Sequence, residues 1–393
     1  MERYRKVLLT CAALAVASAL WLPCLHLFFA PSTAAYTASG GLSPRARELA
    51  ARHLRLWTDP ALKQREVERM RRSNAEWDFM GRTFLVWSLA EMALREPAEQ
   101  ARYLAVMDTI IAETLQLERE HGQLFFLMPY ARSRAYVQQP MRSLFVDGEI
   151  ALMLASRRLV AEKEEYRPLL RERLAIILER LQRGERLLAE SYPDECWLFD
   201  HAVALAALRA GDRLDGTEHS AFIRTWLAAA RQNLTDPATG LLASIFTTRA
   251  QPLDGPEGST IWMVAHLLRV VDADFAADQY QRARRELGRT FLGFGWSREW
   301  PRSWTGPQDV DSGAVIPVVE ASAGGSGMAF IGASSFGDVA FLRALHTSLD
   351  FAAFPIRREG QLKYAASNQV GDAALLYACV LGPLWQRITE TRP

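Results

Sequence analysis

Ser143–Ala155 (SLFVDGEIALMLA) and Trp197–Leu208 (WLFDHAVALAAL) are apolar on almost every helical face, whereas Arg167–Arg186 (RPLLRERLAIILERLQRGER) carries a charged stripe. A helix apolar all round is buried all round, and a striped one lies half in water. Working outward from these stretches, helical periodicity recurs from Leu42 onward in segments of a dozen to twenty residues broken by Pro, Gly, Asp and Asn, and long alternating strand patterns are scarce. Start and stop signals predict about twelve helices, near 44–57, 74–95, 98–120, 143–160, 168–187, 196–210, 217–233, 258–271, 276–293, 317–335, 337–350 and 370–386. Alternation of buried with half-exposed helices is the requirement of an all-α (α/α)6 toroid, in which inner helices line a central cavity and outer helices shield them. No linker rich in Gly, Ser or Pro divides the body, so residues 42–393 read as one barrel-forming catalytic domain behind a 1–41 leader.

That leader begins with Arg3, Arg5 and Lys6 and continues as an uncharged run from Val7 to Phe29, interrupted only by Thr10, Ser18 and His26. A membrane helix needs roughly 20 apolar residues and a secretory h-region only about 7 to 15. The run therefore predicts an uncleaved single-pass anchor, with cleavage near Ser32–Ala35 and secretion as the alternative. Basic residues ahead of the span, against only Arg45 and Arg47 soon after it, orient the body outside the cytoplasm, in a periplasmic setting.

Composition narrows the function. The 393 residues include 46 basic and 45 acidic side chains for a net charge of +1, which excludes a global field for nucleic acid. Four cysteines, two of them in the leader, exclude a disulfide framework, and neither a zinc-spaced Cys/His set nor a nucleotide loop is present, so no metal or cofactor is expected.

The chemical signal is acids on buried helices. Glu149 shares a face with Phe145, Leu152 and Met153, and Asp200 with Trp197, Val203 and Ala204. A carboxylate in such surroundings must be paired, protonated or turned to a solvated cavity. Asp309 and Asp311, two apart in GPQDVDSGAVIP, and Asp78 in SNAEWDFMGRTF are further catalytic candidates. For Asp311 and Ser312 the structural alternative is capping a helix near Ile316, and for Asp78 an i,i+4 pair with Arg82 behind an Asn74 or Ser73 cap. As metal evidence the D-x-D pair is weak, because the α/β sheet such a site belongs to is missing. Tyr192, Trp197, His201, Trp262, His266 and Trp304 accompany the acids as candidate substrate-binding residues. For any one tryptophan, or for His266 alone, core packing is the plainer role.

The stretch Ser191–His219 (SYPDECWLFDHAVALAALRAGDRLDGTEH), followed by LTDPATGLLAS from Leu234 and STIWMVAHLLRVVDADFAADQY from Ser259, resembles the linalool dehydratase/isomerase family. The likeness extends more loosely from Asn74 to Trp385, and its most specific pieces are Pro193-Asp194 and the DPATG turn at Asp236–Gly240. It implies an (α/α)6 barrel, a secretory signal, homo-oligomeric rings, and cofactor-independent addition and removal of water at tertiary allylic alcohols. Where that family has two cysteines and a histidine, an ungapped placement puts Ser191 or Tyr192, Asp200 and Glu149, a change from thiol and imidazole to carboxylates. The leading expectation is an extracytoplasmic dehydratase/isomerase-like hydro-lyase, acting at a C–O bond of a hydroxylated small molecule by carboxylate acid/base catalysis. A glycoside hydrolase or other glycan-active enzyme of the same architecture is the alternative, and a non-catalytic binding barrel the third.

Overall fold

The computed structural model describes residues 1–309 and 312–390. Its helices are α1 (Glu2–Trp21), α2 (Pro44–Thr58), α3 (Pro60–Ser73), α4 (Ala75–Arg95), α5 (Gln100–His121), α6 (Leu144–Val160), α7 (Tyr166–Arg183), α8 (Leu198–Asp215), α9 (Ser220–Asn233), α10 (Gly258–Leu268), α11 (Ala273–Glu286), α12 (Ala323–Ser335), α13 (Val339–Ala352), α14 (Gln369–Val380) and α15 (Pro383–Thr389). The apolar ones form a ring: α4, α6, α8, α10, α12 and α14 pack in succession, and α14 returns to pack on α4. The striped helices α5, α7, α11 and α13 lie against α4, α6, α10 and α12, α9 follows α8, and α2 from the start of the chain covers α14. The fold is an (α/α)6 barrel with one apolar helix ahead of it.

Burial explains the sorting. Every residue of α6 is buried, whereas α7 buries only Tyr166, Leu170, Leu174, Ile177, Arg180 and Leu181. Short polar side chains start the helices as expected for caps: Asn74 accepts from the Trp77 amide, Ser322 from Gly325 and Asn368 from Gly371. Inner-to-outer connections are short, while outer-to-inner ones are long and collect at the end of the barrel where the inner helices begin. There they carry small antiparallel sheets. Strands β1 (Cys196–Trp197), β2 (Ile245–Phe246) and β3 (Pro252–Asp254) form one; β4 (Gly288–Phe291), β5 (Phe294–Ser297), β6 (Val315–Ile316) and β7 (Ala321–Ser322) form a second in the order β4-β5-β7-β6; β8 (Pro355–Arg358) and β9 (Gln361–Tyr364) form a hairpin.

Three expectations are corrected here. Helix α3 has no counterpart in the apolar periodicity, because it buries only Val67. The segment predicted as helix to 293 leaves the helix after Glu286 and becomes the β4–β5 hairpin, turning at Leu292 and Gly293 with φ of 46° and 80°. The segment predicted as helix from 317 is β6, a turn and β7 instead, since Pro317 and the positive φ of Val318 (72°) and Glu320 (54°) are incompatible with helix. Ser322 rather than Ser312 caps the helix that follows, and Asp311 lies outside the described residues.

Helix α1 continues as a 3-10 helix to Phe28, and an 18-residue stretch within Glu2–Phe28 reaches a mean hydropathy of 2.1 with none of it buried. It is long and apolar enough to cross a membrane. Beyond it the chain joins the flank of the barrel, where Phe29 meets Phe351 edge-on at 5.0 Å and Tyr36 lies 3.9 Å from His346.

Candidate active site

The opening turns of the inner helices converge at the mouth end, and three of these helices bring carboxyl groups together there, Glu76 and Asp200 from first turns and Glu149 from the second. Glu149 on α6 and Asp200 on α8 sit where these neighbouring helices approach closely at Gly148, whose Cβ, if present, would lie 3.5 Å from the Asp200 carbonyl oxygen. Both acids are almost removed from solvent, at 1% and 6% exposure. Burial raises the Glu149 pKa well above the usual range, the Asp200 charge adds to this, and the Thr83 hydroxyl on α4 opposes it. One Glu149 oxygen, Oε2, is buried without a hydrogen-bond partner among the described residues. Burial pushes Asp200 up to about 8, with the Ser191 hydroxyl opposing and the Glu76 charge adding. Burial thus favours the protonated form of both carboxyls.

Glu76, in the first turn of α4, is the third member. The Tyr192 phenol donates to its Oε1, and the Met128 amide donates to the phenol oxygen at 2.8 Å. Burial raises the Glu76 pKa, the Tyr192 bond favours its ionised form, and Glu195 adds to the rise. Above this layer Tyr130 stacks on Tyr192 at 4.5 Å and donates to Glu195 at 3.3 Å, and Arg134 lies 3.6 Å from that carboxylate. Glu195 is itself raised by burial, with Trp197, Tyr130 and Arg134 opposing, and further raised by Asp309 at the rim. Electrostatic coupling thus runs from Asp309 in solvent through Glu195 and Glu76 to Asp200 and Glu149.

The loop geometry follows from local sequence. Pro193 and Asp194 make a tight turn with Asp194 at φ 54°, its carboxylate accepting from the Thr248 amide at 3.0 Å and hydroxyl at 2.8 Å. This turn sets Ser191 and Tyr192 on one side and Trp197 and Asp200 on the other. His201 locks the arrangement: Nδ1 donates to the Trp197 carbonyl at 2.6 Å and Nε2 accepts from the Ala189 amide at 3.1 Å. A ring bonded this way is neutral, and its pKa falls to about 4 because burial disfavours the charged form. Asp254 organises the rim, accepting from the Trp300 indole at 2.8 Å and the Asp309 amide at 2.9 Å, while Trp304 lies against Gly255, where a Cβ would come within 2.5 Å of the indole.

Of the residues singled out in the sequence, the structure gathers Glu149, Asp200, Tyr192 and Trp197 at the mouth, with Asp309 and Trp304 on its exposed rim. Asp311 lies outside the described residues. Asp78 faces the outer layer: Arg82 Nε is 3.3 Å and Arg71 of α3 3.8 Å from its carboxylate. Trp262 and His266 are core residues, the first donating to Ser297 Oγ at 2.8 Å and the second held between Tyr377 Oη (2.8 Å) and Ser335 Oγ (2.7 Å). His201 is a satisfied core histidine. Glu76, Glu195, Thr83 and Tyr130 were not among the sequence candidates. Glu76 stands two residues before Asp78, so the two point about 200° apart on α4, and the i,i+4 arginine of Asp78 is the signal that Glu76 is the one facing the axis.

Fold and site together define an (α/α)6 barrel with a carboxylate cluster at the inner-helix N-termini. Among solved structures of similar fold, a cellobiose 2-epimerase from Bacillus thermoamylovorans aligns at TM-score 0.50 with 12% identity, over 77% of this chain and 87% of that one. A GH76 α-mannanase of Bacteroides thetaiotaomicron aligns at TM-score 0.49 with 11% identity, over 77% and 85% of the two chains. Likeness at these identities concerns the fold alone. No protein-family model matches the chain, and no curated protein matches it.

Proposed function

We propose that this protein is an enzyme that breaks a C–O bond of a carbohydrate by carboxylate acid/base catalysis. The observation that carries the reading is the Glu149–Asp200 pair: two buried carboxyl groups on adjacent inner helices, each raised by burial, Asp200 to about 8. Either can protonate a leaving oxygen. Glu76, raised by burial but with the Tyr192 phenol donating to it and opposing that rise, is the carboxylate that would stabilise the resulting cation or take the proton of an attacking water. The aromatic rim of Tyr130, Trp300 and Trp304 suits the apolar face of a sugar ring. The name of the epimerase of similar fold also points to a sugar, in agreement with this reading.

A dehydratase/isomerase is the second reading, favoured by the near-complete burial of Glu149 and Asp200, since a dry apolar site suits loss of water from a hydroxylated substrate. We further propose that α1 anchors the protein with its barrel outside the cytoplasm, as Arg3, Arg5 and Lys6 ahead of the span require.

The test is product analysis with the full chain in detergent micelles. Oligosaccharide and polysaccharide panels in ¹⁸O-water place the label at a released reducing end under the first reading, and tertiary allylic alcohols yield alkenes under the second. Turnover by Glu149→Gln and Asp200→Asn variants at the parent rate would defeat both.

A further inference from the structure

The barrel has a second feature that the mouth chemistry does not use. Where the apolar span ends, His26 packs on Gly293 at the β4–β5 turn, so closely that a Cβ there would lie 2.4 Å from the ring. Phe29 and Phe294 both contact Phe351 of α13, at 5.0 and 5.3 Å. Between the end of the span, the β4–β5 hairpin and α13 lies a cavity of about 490 Å³ lined in part by His26, Arg284, Thr290, Arg343 and Thr347. Arg284 is shared with Asp338 at 3.0 Å, while Arg343 is exposed and has no ion-pair partner among the described residues.

The same flank concentrates exposed apolar side chains. Phe291 (65%) and Leu292 (36%) form the hairpin tip beside His26, Phe351 (45%) lies in the last turn of α13, and Phe354 (64%) just beyond it. On the sheet that contains the hairpin, Ile316, Val318 and Val319 are exposed too. Exposed apolar surface gathered on one side marks an interaction face.

We propose that this flank lies on the bilayer surface, its phenylalanines in the headgroup boundary and the Arg284–Arg343 cavity receiving the phosphate of an anionic lipid. The inference rests on the reading of α1 as an anchor. What fixes a lipid surface as the occupant is continuity: the last turns of the span touch the flank directly, with no linker between them, so a bilayer crossed by α1 ends against these residues. Charge agrees, because the cavity offers an unpaired guanidinium where lipid phosphates lie. The barrel would then be held at one orientation, with the α12–α13 side down and the diametrically opposite α6–α7 side away from the membrane.

The experiment places a photo-crosslinking amino acid at Phe291, Phe354, Leu169 or Leu14 of the full chain in lipid nanodiscs and measures lipid adducts by mass spectrometry. Leu169, 37% exposed on α7, is the control on the far side, and Leu14 reports the span. Adducts at 291 and 354 well above those at 169 are expected. They should rise about fivefold when phosphatidylglycerol joins phosphatidylcholine, a rise that Arg343→Glu removes. Adducts at 14 with 291 and 354 at the level of 169 would overturn the docking proposal while leaving the anchor intact. No adducts at 14 would overturn the anchor and the docking with it, and docking without dependence on lipid charge would overturn the phosphate site.

Discussion

Replacing Asp200 by asparagine tests the state of the site before any substrate is known. In the folded protein this carboxyl is pushed up to about 8 from an ordinary 3.8, mainly by burial. Between these values the unfolded chain ionises Asp200 while the folded chain keeps its proton. The native state therefore loses stability as pH rises through the window, with no penalty below about 4 and the full one above 8. At about 1.4 kcal/mol per pH unit, the window corresponds to about 6 kcal/mol. An asparagine side chain does not ionise, so Asp200→Asn should gain on the parent by about 3 kcal/mol between pH 5 and pH 7. Guanidinium unfolding of both proteins in the same micelles, followed by tryptophan fluorescence at several pH values, measures that widening gap. A gap that stays constant with pH would show that Asp200 ionises freely in the folded protein. The proton reservoir at the centre of the functional proposal would then not exist.

Tyr192→Phe removes the donor to Glu76, so the Glu76 pKa should rise and the acidic limb of the pH–rate profile move to higher pH, with turnover down about tenfold; an unmoved limb would exclude Glu76 as the base. His201→Leu leaves the Ala189 amide and the Trp197 carbonyl unpaired, which should cost about 3 kcal/mol in chemical unfolding and loosen the turn that carries Tyr192. Arg45→Ala strips the buried partner of Asp350, 2.6 Å away, and should cost about 3 kcal/mol, whereas a pair contributing nothing would leave the unfolding midpoint unchanged. Asp254→Ala removes the acceptor that holds the Trp300 indole and the Asp309 amide, so limited proteolysis should cut first between 298 and 309, with the barrel core still protected.

The inner helices could be read from sequence because burial on all sides leaves no room for a polar stripe, and α6 and α8 have none. Their acids stood out for the same reason. What could not be read was rotation about a helix axis. Glu76 and Asp78 are both acids in the first turn of α4, and only the packed structure shows Asp78 turned to Arg71 and Arg82 and Glu76 to the axis. Helix α3 was invisible because seven of the 13 residues in ALKQREVERMRRS are charged, its stability coming from the Asp59 cap and from covering α4 rather than from an apolar stripe. The β4–β5 hairpin was masked by its length of four residues per strand, too few for alternation to compete with the helical run before it. His201 and His266 carry no sequence mark that separates a bonded core imidazole from a catalytic one.

The ring closes through its own extremes: α14 packs on α4, α2 covers α14, and Arg45 reaches Asp350 across 305 positions of sequence. A chain emerging from the ribosome thus makes five inner helices while the sixth is still missing, and the two at the ends of the arc, α4 and α12, each wait with one apolar edge open. The barrel is a structure with a last brick. Shortening the chain anywhere before Gln369 does not yield a smaller barrel but an arc whose α4 edge faces water, a species suited to aggregation or to capture by a chaperone. Production and quality control of this protein are therefore decided at its end, by the dozen residues of α14.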